Sequence, residues 1–578
     1  MDGKDVEQAA SQHPDWAREL AASYVAGATH FFILHGNVHD FQFIPEPTQG
    51  EAEFPLLPDF LATRLFGQWD IVLHYDLTSP PRPLTGPSSK RLAKMREALA
   101  RHLDPAAPLP SDPSTALALL DRLLERFLLL PENEEEPKKI ALIFSGAEFL
   151  APDQDIGQMA ARTASQVETL LKWARNPYFR RVNVAFCLIT ERLADCSDRL
   201  VRNPHAATLR IPYPSEEDRA AFIRAVDPGR DAQRLARQTA GLTLVNLKAL
   251  LSRARDDDEK TLKRFKKEMI ERQCGGFVEF IEPTTPFDLV VGHESAKRRL
   301  RQDAELIKQG HFEAAPMGYL VCGPVGTGKS FLAECYAATV GLPCLKLLNF
   351  RSKYVGETEG NLERILSVLR VMGPVVIMVD EADAALGNRE QEGDSGTSSR
   401  VFSQIAAQMG DSRYRGRIVW FLLTSRPDRL PVDIKRQGRA EVHIPLFYPE
   451  TLDEMKAMFV AMARKNKTPL AGDAVESFTK NLGLSGADIE SVVTQARREA
   501  LTQNLPEVTR ELLAATAANF IPSAQEGEKE YQALVAALEC TDINFLPERY
   551  RAMMRDPEKR KALQTRLMEV RASLGMRV

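Results

Sequence analysis

Short apolar runs alternate with longer amphipathic stretches along the chain, which predicts a mostly parallel sheet covered by helices. In the first half the runs are HFFIL (30–34), IALIF (140–144) and VNVAF (182–186). In the second half they are GYLVC (318–322), PVVIMV (374–379) and RIVW (417–420). The run at 375–379 is apolar at every position, as expected of a central strand packed on both faces.

The pattern repeats once. CLITERLADCSDRL (187–200) parallels FLLTSRPDRL (421–430). RIPYPSEEDRAAFIRAV (210–226) parallels HIPLFYPETLDEMKAMFV (443–460), each a strand, a proline-bearing turn and an amphipathic helix. LARQTAGLTLVNLKALLSRAR (235–255) parallels FTKNLGLSGADIESVVTQAR (478–497). Three matching blocks in one order predict a duplicated domain. The first copy is expected over residues 1–256 and a linker over 257–284, where the charged stretch DDDEKTLKRFKK gives way to Gly275, Gly276, Pro283 and Pro286. The acidic segment PENEEEP (131–137) reads as a solvated loop, and the charged 524–578 as a helical appendage.

Composition narrows the class. The chain has 578 residues, 44% hydrophobic and 27% charged, with a net charge of −4, which are globular values. A surface that binds nucleic acid throughout is not expected from that charge. The seven cysteines are scattered, with no CxxC pair, as in a reducing compartment. The first residues are polar and acidic, and no apolar run approaches the ~18 residues of a membrane span. A soluble cytoplasmic protein is expected. There is no HExxH, so proteolysis within this chain is not expected.

The chemistry is concentrated in two places. After the apolar run at 318–322 comes GPVGTGKS: Gly323, Pro324, Val325, Gly326, Thr327, Gly328, Lys329 and Ser330. Glycines at these positions let backbone N–H groups approach phosphate oxygens, and the start of the next helix adds its positive dipole end. Lys329 would reach the β- and γ-phosphates of ATP, and the Ser330 hydroxyl would ligate Mg²⁺. After the apolar run at 375–379 stand Asp380 and Glu381. Asp380 can hold the Mg²⁺ shell, and Glu381 can polarise an attacking water.

Together with their neighbours, these segments resemble the AAA family, the group of NSF and valosin-containing protein, over residues 285 to about 500. The resemblance implies an α/β fold of the AAA+ P-loop NTPase type, a parallel sheet with a helical small subdomain, present twice with the first copy degenerate. The large ATPase subdomain would span 285–445 and the small helical one 446–523. FDLVVGHESAKRRL (287–300) is similar to the family's lead-in, which implies that the region of Gly292 lies near the adenine and contributes to nucleotide binding. SKYVGETEGNLERI (352–365) resembles its first pore loop, implying that Tyr354 and Val355 line a central channel and grip an extended polypeptide. LLTSRPDRLP (422–431) is similar to its sensor segment, where asparagine is usual and Ser425 stands instead. Serine can still orient a water, with shorter reach. IKRQGR (434–439) carries the two-arginine pattern, implying that Arg436 and Arg439 stabilise the γ-phosphate of a neighbouring subunit. LSGADIESVV (484–493) resembles the small-domain signature, implying that Gly486 and Ala487 touch nucleotide. Fingers acting on a neighbour require a ring, and the family implies a homo-hexamer working on protein substrates.

The first copy lacks this chemistry. HFFIL runs into HGNVHDF, with Gly36 alone where a phosphate loop is expected, and IALIF ends in Ser145-Gly146 rather than two acids. A scaffold, or a platform for an adaptor, is the expectation. His35 and His39 have the spacing of a metal pair on a helix but no evident further ligands, and they read as loop histidines. Two further readings stay open: a slow ATP-switched assembly scaffold without threading, and a nucleic-acid motor, which the near-neutral charge makes the weaker.

Overall fold

The computed structural model describes residues 13–42, 54–101, 109–129, 139–154, 157, 159–180, 183–253, 259–283, 285, 287–348, 355–386, 397–522 and 526–575. The chain divides into two compact units, Met1–Met269 and Ile270–Val578. The acidic segment 131–137 lies outside the described residues.

The first unit holds a six-stranded sheet in the order β3-β2-β4-β5-β1-β6. Its strands are β1 (Phe31–Gly36), β2 (Ile71–Asp76), β3 (Ser79–Pro83), β4 (Ile140–Ser145), β5 (Val184–Thr190) and β6 (Ala206–Ile211). All neighbours pair in parallel except β3, which returns antiparallel along β2. Consecutive residues of β1 feed opposite cores. Phe31 and Ile33 join the helices Pro113–Leu129 and Ala161–Arg175 on one face, and Phe32 and Leu34 pack with Trp16 and Phe60 on the other. The sheet is covered on both sides, so its strands read as unbroken apolar runs rather than alternating ones.

The second unit repeats this order. Its strands are β7 (Val278–Ile281), β8 (Gly318–Cys322), β9 (Cys344–Leu347), β10 (Val375–Val379), β11 (Ile418–Thr424) and β12 (Val442–Pro445). The sheet runs β12-β8-β11-β10-β9-β7, with β7 alone antiparallel. Within the parallel five, β8, β9, β10, β11 and β12 take the places of β1, β2, β4, β5 and β6. The edge strand has a different origin in each unit: a hairpin from β2 in the first, the incoming chain in the second. Residues 257–284 therefore contain structure, the helix Glu259–Gln273 followed by β7.

The repeated blocks occupy matching elements. In both units the last parallel strand leads to a helix opened by a capping box, Ser215 with Asp218 before Glu216–Val226 and Thr451 with Glu454 before Leu452–Lys465. The strands before them run further than the apolar runs at 182–186 and 417–420 suggest. β5 and β11 continue to Thr190 and Thr424, because the first residues of the next block are equally apolar and equally buried.

Gly36 and Gly323 sit at matching strand ends for one steric reason. A Cβ on Gly36 would lie 2.8 Å from the Ile211 carbonyl oxygen, and one on Gly323 would lie 2.1 Å from that of Leu446. Both have positive φ, 101° and 144°. Beyond Gly36 the first unit differs. Asp40, 2% exposed, accepts the backbone N–H groups of Leu244 and Val245 at 2.9 Å each, at the start of the helix Leu244–Arg253. Asn37 Nδ2 and the Phe41 N–H, both at 2.9 Å, also donate to it. Burial raises the Asp40 carboxyl above its ordinary range, and the four donors offset only part of that rise. The carboxylate thus closes a helix start against the strand end that corresponds to the phosphate loop.

Asp40→Ala strands the two helix N–H groups in a buried site and is expected to destabilise the first unit by about 2 kcal/mol. Urea unfolding can be followed through Trp16, Trp69 and Trp173, three of the chain's four tryptophans. An unchanged midpoint would show that the carboxylate carries no such load.

Candidate functional site

In the second unit β8, β10 and β11 lie side by side, and the residues that follow them open onto one cleft of about 370 Å³. One half is apolar, lined by Leu289, Val290, Val291, Leu446, Met458 and Met462. The other half is polar, lined by Val325 through Ser330 with Asp380, Glu381 and Ser425. Such a cleft suits a flat apolar ring joined to a polyanion.

The polar half is built from a strand–loop–helix turn. β8 is fully buried and fixes the start of the loop. Gly328 is the N-cap of the helix Lys329–Val340 and supplies no side-chain cap, so the helix's first N–H groups are left for an anion. Lys329 folds back on its own loop, donating to the carbonyls of Gly323 at 2.9 Å and Pro324 at 3.0 Å. Burial pushes its pKa down to about 8. A bound anion would favour its charged form.

Ser330 Oγ donates to Asp380 Oδ2 at 3.2 Å, so the hydroxyl and carboxylate expected to share Mg²⁺ do converge. Two hard oxygen donors at the mouth of a phosphate loop fit that ion. The same oxygen accepts Lys346 Nζ at 3.0 Å, which raises the lysine's pKa. Glu381 is exposed and takes a left-handed backbone, φ 47°, which is unfavourable for a side chain of its size and is found at functional positions. Its N–H bonds Asp380 Oδ1 at 3.1 Å. Asp383, one turn on, accepts the Thr424 hydroxyl at 2.6 Å, tying the acidic turn to the end of β11 beside Ser425.

The small helical subdomain closes the cleft. The N–H of Ala487 donates to the Gly326 carbonyl at 3.3 Å, and Gly486 lines the cleft beside it. The helix Gly486–Thr502 opens with a capping box of Ser485 and Asp488. Gly292 faces away, toward Glu454, and its neighbours Val291 and His293 line the cleft instead. Gly323 and Pro324 form the root of the loop and do not line the cleft.

Arg436 and Arg439 do not reach this cleft. Arg436 is 61% exposed and pairs with Asp433 at 3.1 Å. Arg439 is only 12% exposed, held by the Asp433 side chain and, at 2.9 Å, by its carbonyl. Tyr354 lies outside the described residues, and Val355 opens the helix Val355–Val371.

Sequence reasoning missed Lys346, Asp383 and Thr424. The available signal for Lys346 was a lone lysine in the strand CLKL, where a charge needs a partner. The first unit repeats this geometry without the charges. His74 pairs with Ile143, two residues before Ser145, as Lys346 pairs with Met378, two before Asp380. His74 Nε2 and Ser145 Oγ are 2.9 Å apart, and burial lowers the histidine's pKa. A neutral pair thus stands where the second unit has lysine and aspartate. His39, near the end of β1, pairs with Glu191 at 2.9 Å.

Comparison with known proteins agrees with this division. Residues 7–212 match the family described as "AAA+ chaperone, N-terminal Rossmann-like domain", and residues 217–275 match "AAA+ chaperone, second helical domain". Residues 319–448 match "ATPase family associated with various cellular activities (AAA)". The chain is 30% identical over 285 residues to a cell division cycle protein 48 homolog of Archaeoglobus fulgidus, covering 47% of this chain and 38% of that one. It is 31% identical over 242 residues to the peroxisomal ATPase PEX6 of Yarrowia lipolytica, covering 39% and 23%. It is 26% identical over 422 residues to protein SAV of Sulfolobus acidocaldarius, covering 64% and 53%. The chain therefore spans between about a quarter and half the length of these relatives. No helix among the described residues is long and apolar enough to cross a membrane. Two sheets of one strand order, one ending in a phosphate loop and an acidic pair and the other in neutral substitutes, place the chain among the AAA+ ATPases, with the module present twice and its first copy degenerate.

Proposed function

We propose that the second unit hydrolyses ATP and that the protein uses this to remodel, unfold or disassemble protein substrates as a homo-hexameric ring. The observation that carries the reading is the meeting of Ser330 and Asp380 at 3.2 Å, at the mouth of the phosphate loop and beside Glu381. The loop N–H groups and Lys329 would hold the β- and γ-phosphates. Ser330 and Asp380 would hold Mg²⁺, which supplies charge neutralisation on the phosphate oxygens when bound. Glu381 orients a water and takes its proton as the water oxygen bonds to the γ-phosphorus. The bond from that phosphorus to the β-phosphate oxygen breaks, and ADP leaves with its electron pair. Ser425 would orient the same water.

Arg436, exposed and outside its own cleft, is the better placed of the two arginines to act on a neighbour. Arg439, held by Asp433, would first have to leave that carboxylate. Tyr354 and Val355 would line the channel of the ring. The relative named as a peroxisomal ATPase supports the ATPase part of this reading. A second reading, a slow ATP-switched assembly scaffold, is favoured by Ser425, whose short side chain gives a weaker hold on water than asparagine. Turnover separates the two, since the scaffold requires nucleotide-dependent partner binding with very slow hydrolysis.

Glu381→Gln is expected to keep ATP binding and lose at least 100-fold in hydrolysis. Pull-down with this variant in ATP should retain substrates, and undiminished hydrolysis would remove Glu381 from the role. Arg436→Ala is expected to lower turnover by about 10³ or more. Mixing it with Lys329→Ala protein should restore part of the activity, because an intact Arg436 then faces an intact phosphate loop. No recovery at any mixing ratio counts against a finger acting between subunits. Tyr354→Ala should leave ATP turnover within about twofold and abolish remodelling. Remodelling at the parent rate would rule out threading.

A further inference from the structure

The C-terminal helices have no part in the function as proposed so far, yet they bury polar side chains against the ATP site. We propose that the helix Glu526–Glu539 is a clamp on the three segments that read the nucleotide, with Gln532 the positioning residue for the phosphate loop. This rests on the ATPase reading of the cleft and adds to it a working part that the AAA match at 319–448 does not include.

Three contacts from this one helix support the clamp. Gln532 is 4% exposed, and its Oε1 accepts the backbone N–H of Val325 at 3.1 Å. The Val325 carbonyl accepts the Tyr448 hydroxyl at 2.8 Å, so the peptides around the loop tip are held from two sides. A glycine-rich loop has little side-chain packing of its own, and bonds to its tip set how far it can move. Tyr531, next along, donates to Asp428 Oδ2 at 3.1 Å and carries the Arg426 guanidinium over its ring at 4.7 Å. Arg426 bonds Asp428 at 2.8 Å, and its own N–H reaches Thr424 Oγ1 at 2.8 Å. Ser425 lies between these two anchored residues. Glu539, at the far end of the helix, pairs with Lys435 at 3.0 Å, and Lys435 also donates to the Pro427 carbonyl at 3.1 Å. Lys435 directly precedes Arg436.

The three anchored points are thus the neighbours of Gly326, Ser425 and Arg436. Simple packing does not call for this. The helix's apolar side chains Leu534, Val535 and Ala537 already join Phe447, Tyr550, Leu563 and Val570 in a core. Beyond that core, the buried Gln532 side chain, the Tyr531 hydroxyl and the half-buried Glu539 carboxylate bond loops whose position matters to phosphate chemistry.

The test uses the full chain with Gln532→Met, which keeps the shape and removes the acceptor, and Tyr531→Phe, which removes one hydroxyl. Hydrogen exchange at the Val325 amide in nucleotide-free protein should speed up at least fivefold in Gln532→Met and stay unchanged in Tyr531→Phe. Affinity for a fluorescent ADP analogue should fall roughly fivefold in Gln532→Met. Tyr531→Phe should keep that affinity and lower the turnover number instead. The nucleotide-free unfolding midpoints of both should match the parent. Unchanged Val325 exchange and affinity in Gln532→Met, with a parent that binds the analogue, overturn the clamp alone. A parent that binds no nucleotide overturns the ATPase reading and the clamp with it. An affinity loss that only tracks a lowered midpoint overturns the positioning role.

Discussion

Parallel neighbours must end at the same edge of a sheet. β8, β10 and β11 are adjacent and parallel, so the phosphate loop, the acidic pair and Ser425 meet although about 100 residues of sequence separate the first from the last. Everything else in the site adjusts to that edge. The helix Lys329–Val340 points its uncapped start there, and the small helical subdomain sets Gly486 and Ala487 against Gly326. Burial on both faces of the sheet keeps the strand ends fixed while the loops beyond them carry the polar groups.

The two units show how much of that arrangement survives a change of chemistry. The strand order, the capping boxes at Ser215 and Thr451, and the steric need for glycine at Gly36 and Gly323 are common to both. These features serve packing and chain reversal, which a unit needs whether or not it binds nucleotide. The groups that differ are those with a chemical task. His74 with Ser145 replaces Lys346 with Asp380, at the same places in the pairing of two strands. A neutral hydrogen bond satisfies two polar groups at low cost, whereas a lysine–aspartate pair holds charge ready for another ion.

Local motifs were legible in the sequence because their chemistry is contiguous. GPVGTGKS and the pair Asp380–Glu381 each lie within a few residues, and the repeated blocks gave the duplication. What the sequence hid is non-local. Asp40 finds its donors about 200 residues away, and Gln532 finds Val325 at a similar separation, with no spacing rule to announce either. Strand ends were blurred for a different reason. CLIT and FLLT are as apolar as the runs before them, so no polar residue marked a boundary until Thr190 and Thr424. The arginine pair was legible as a pattern, but its unequal exposure depends on where Asp433 sits.

Asp40 has a kinetic consequence. In the second unit the group expected between the phosphate loop and the helical subdomain is a diffusible molecule, whose occupancy follows its concentration and its hydrolysis. In the first unit the carboxylate at the helix start is a side chain of the protein itself, so its presence depends on no ligand concentration and it carries no bond to be hydrolysed. Its effective concentration is set by covalent connection alone. The first unit therefore keeps its helix docked at any ATP-to-ADP ratio, a fixed element in a protein whose other half is proposed to respond to that ratio.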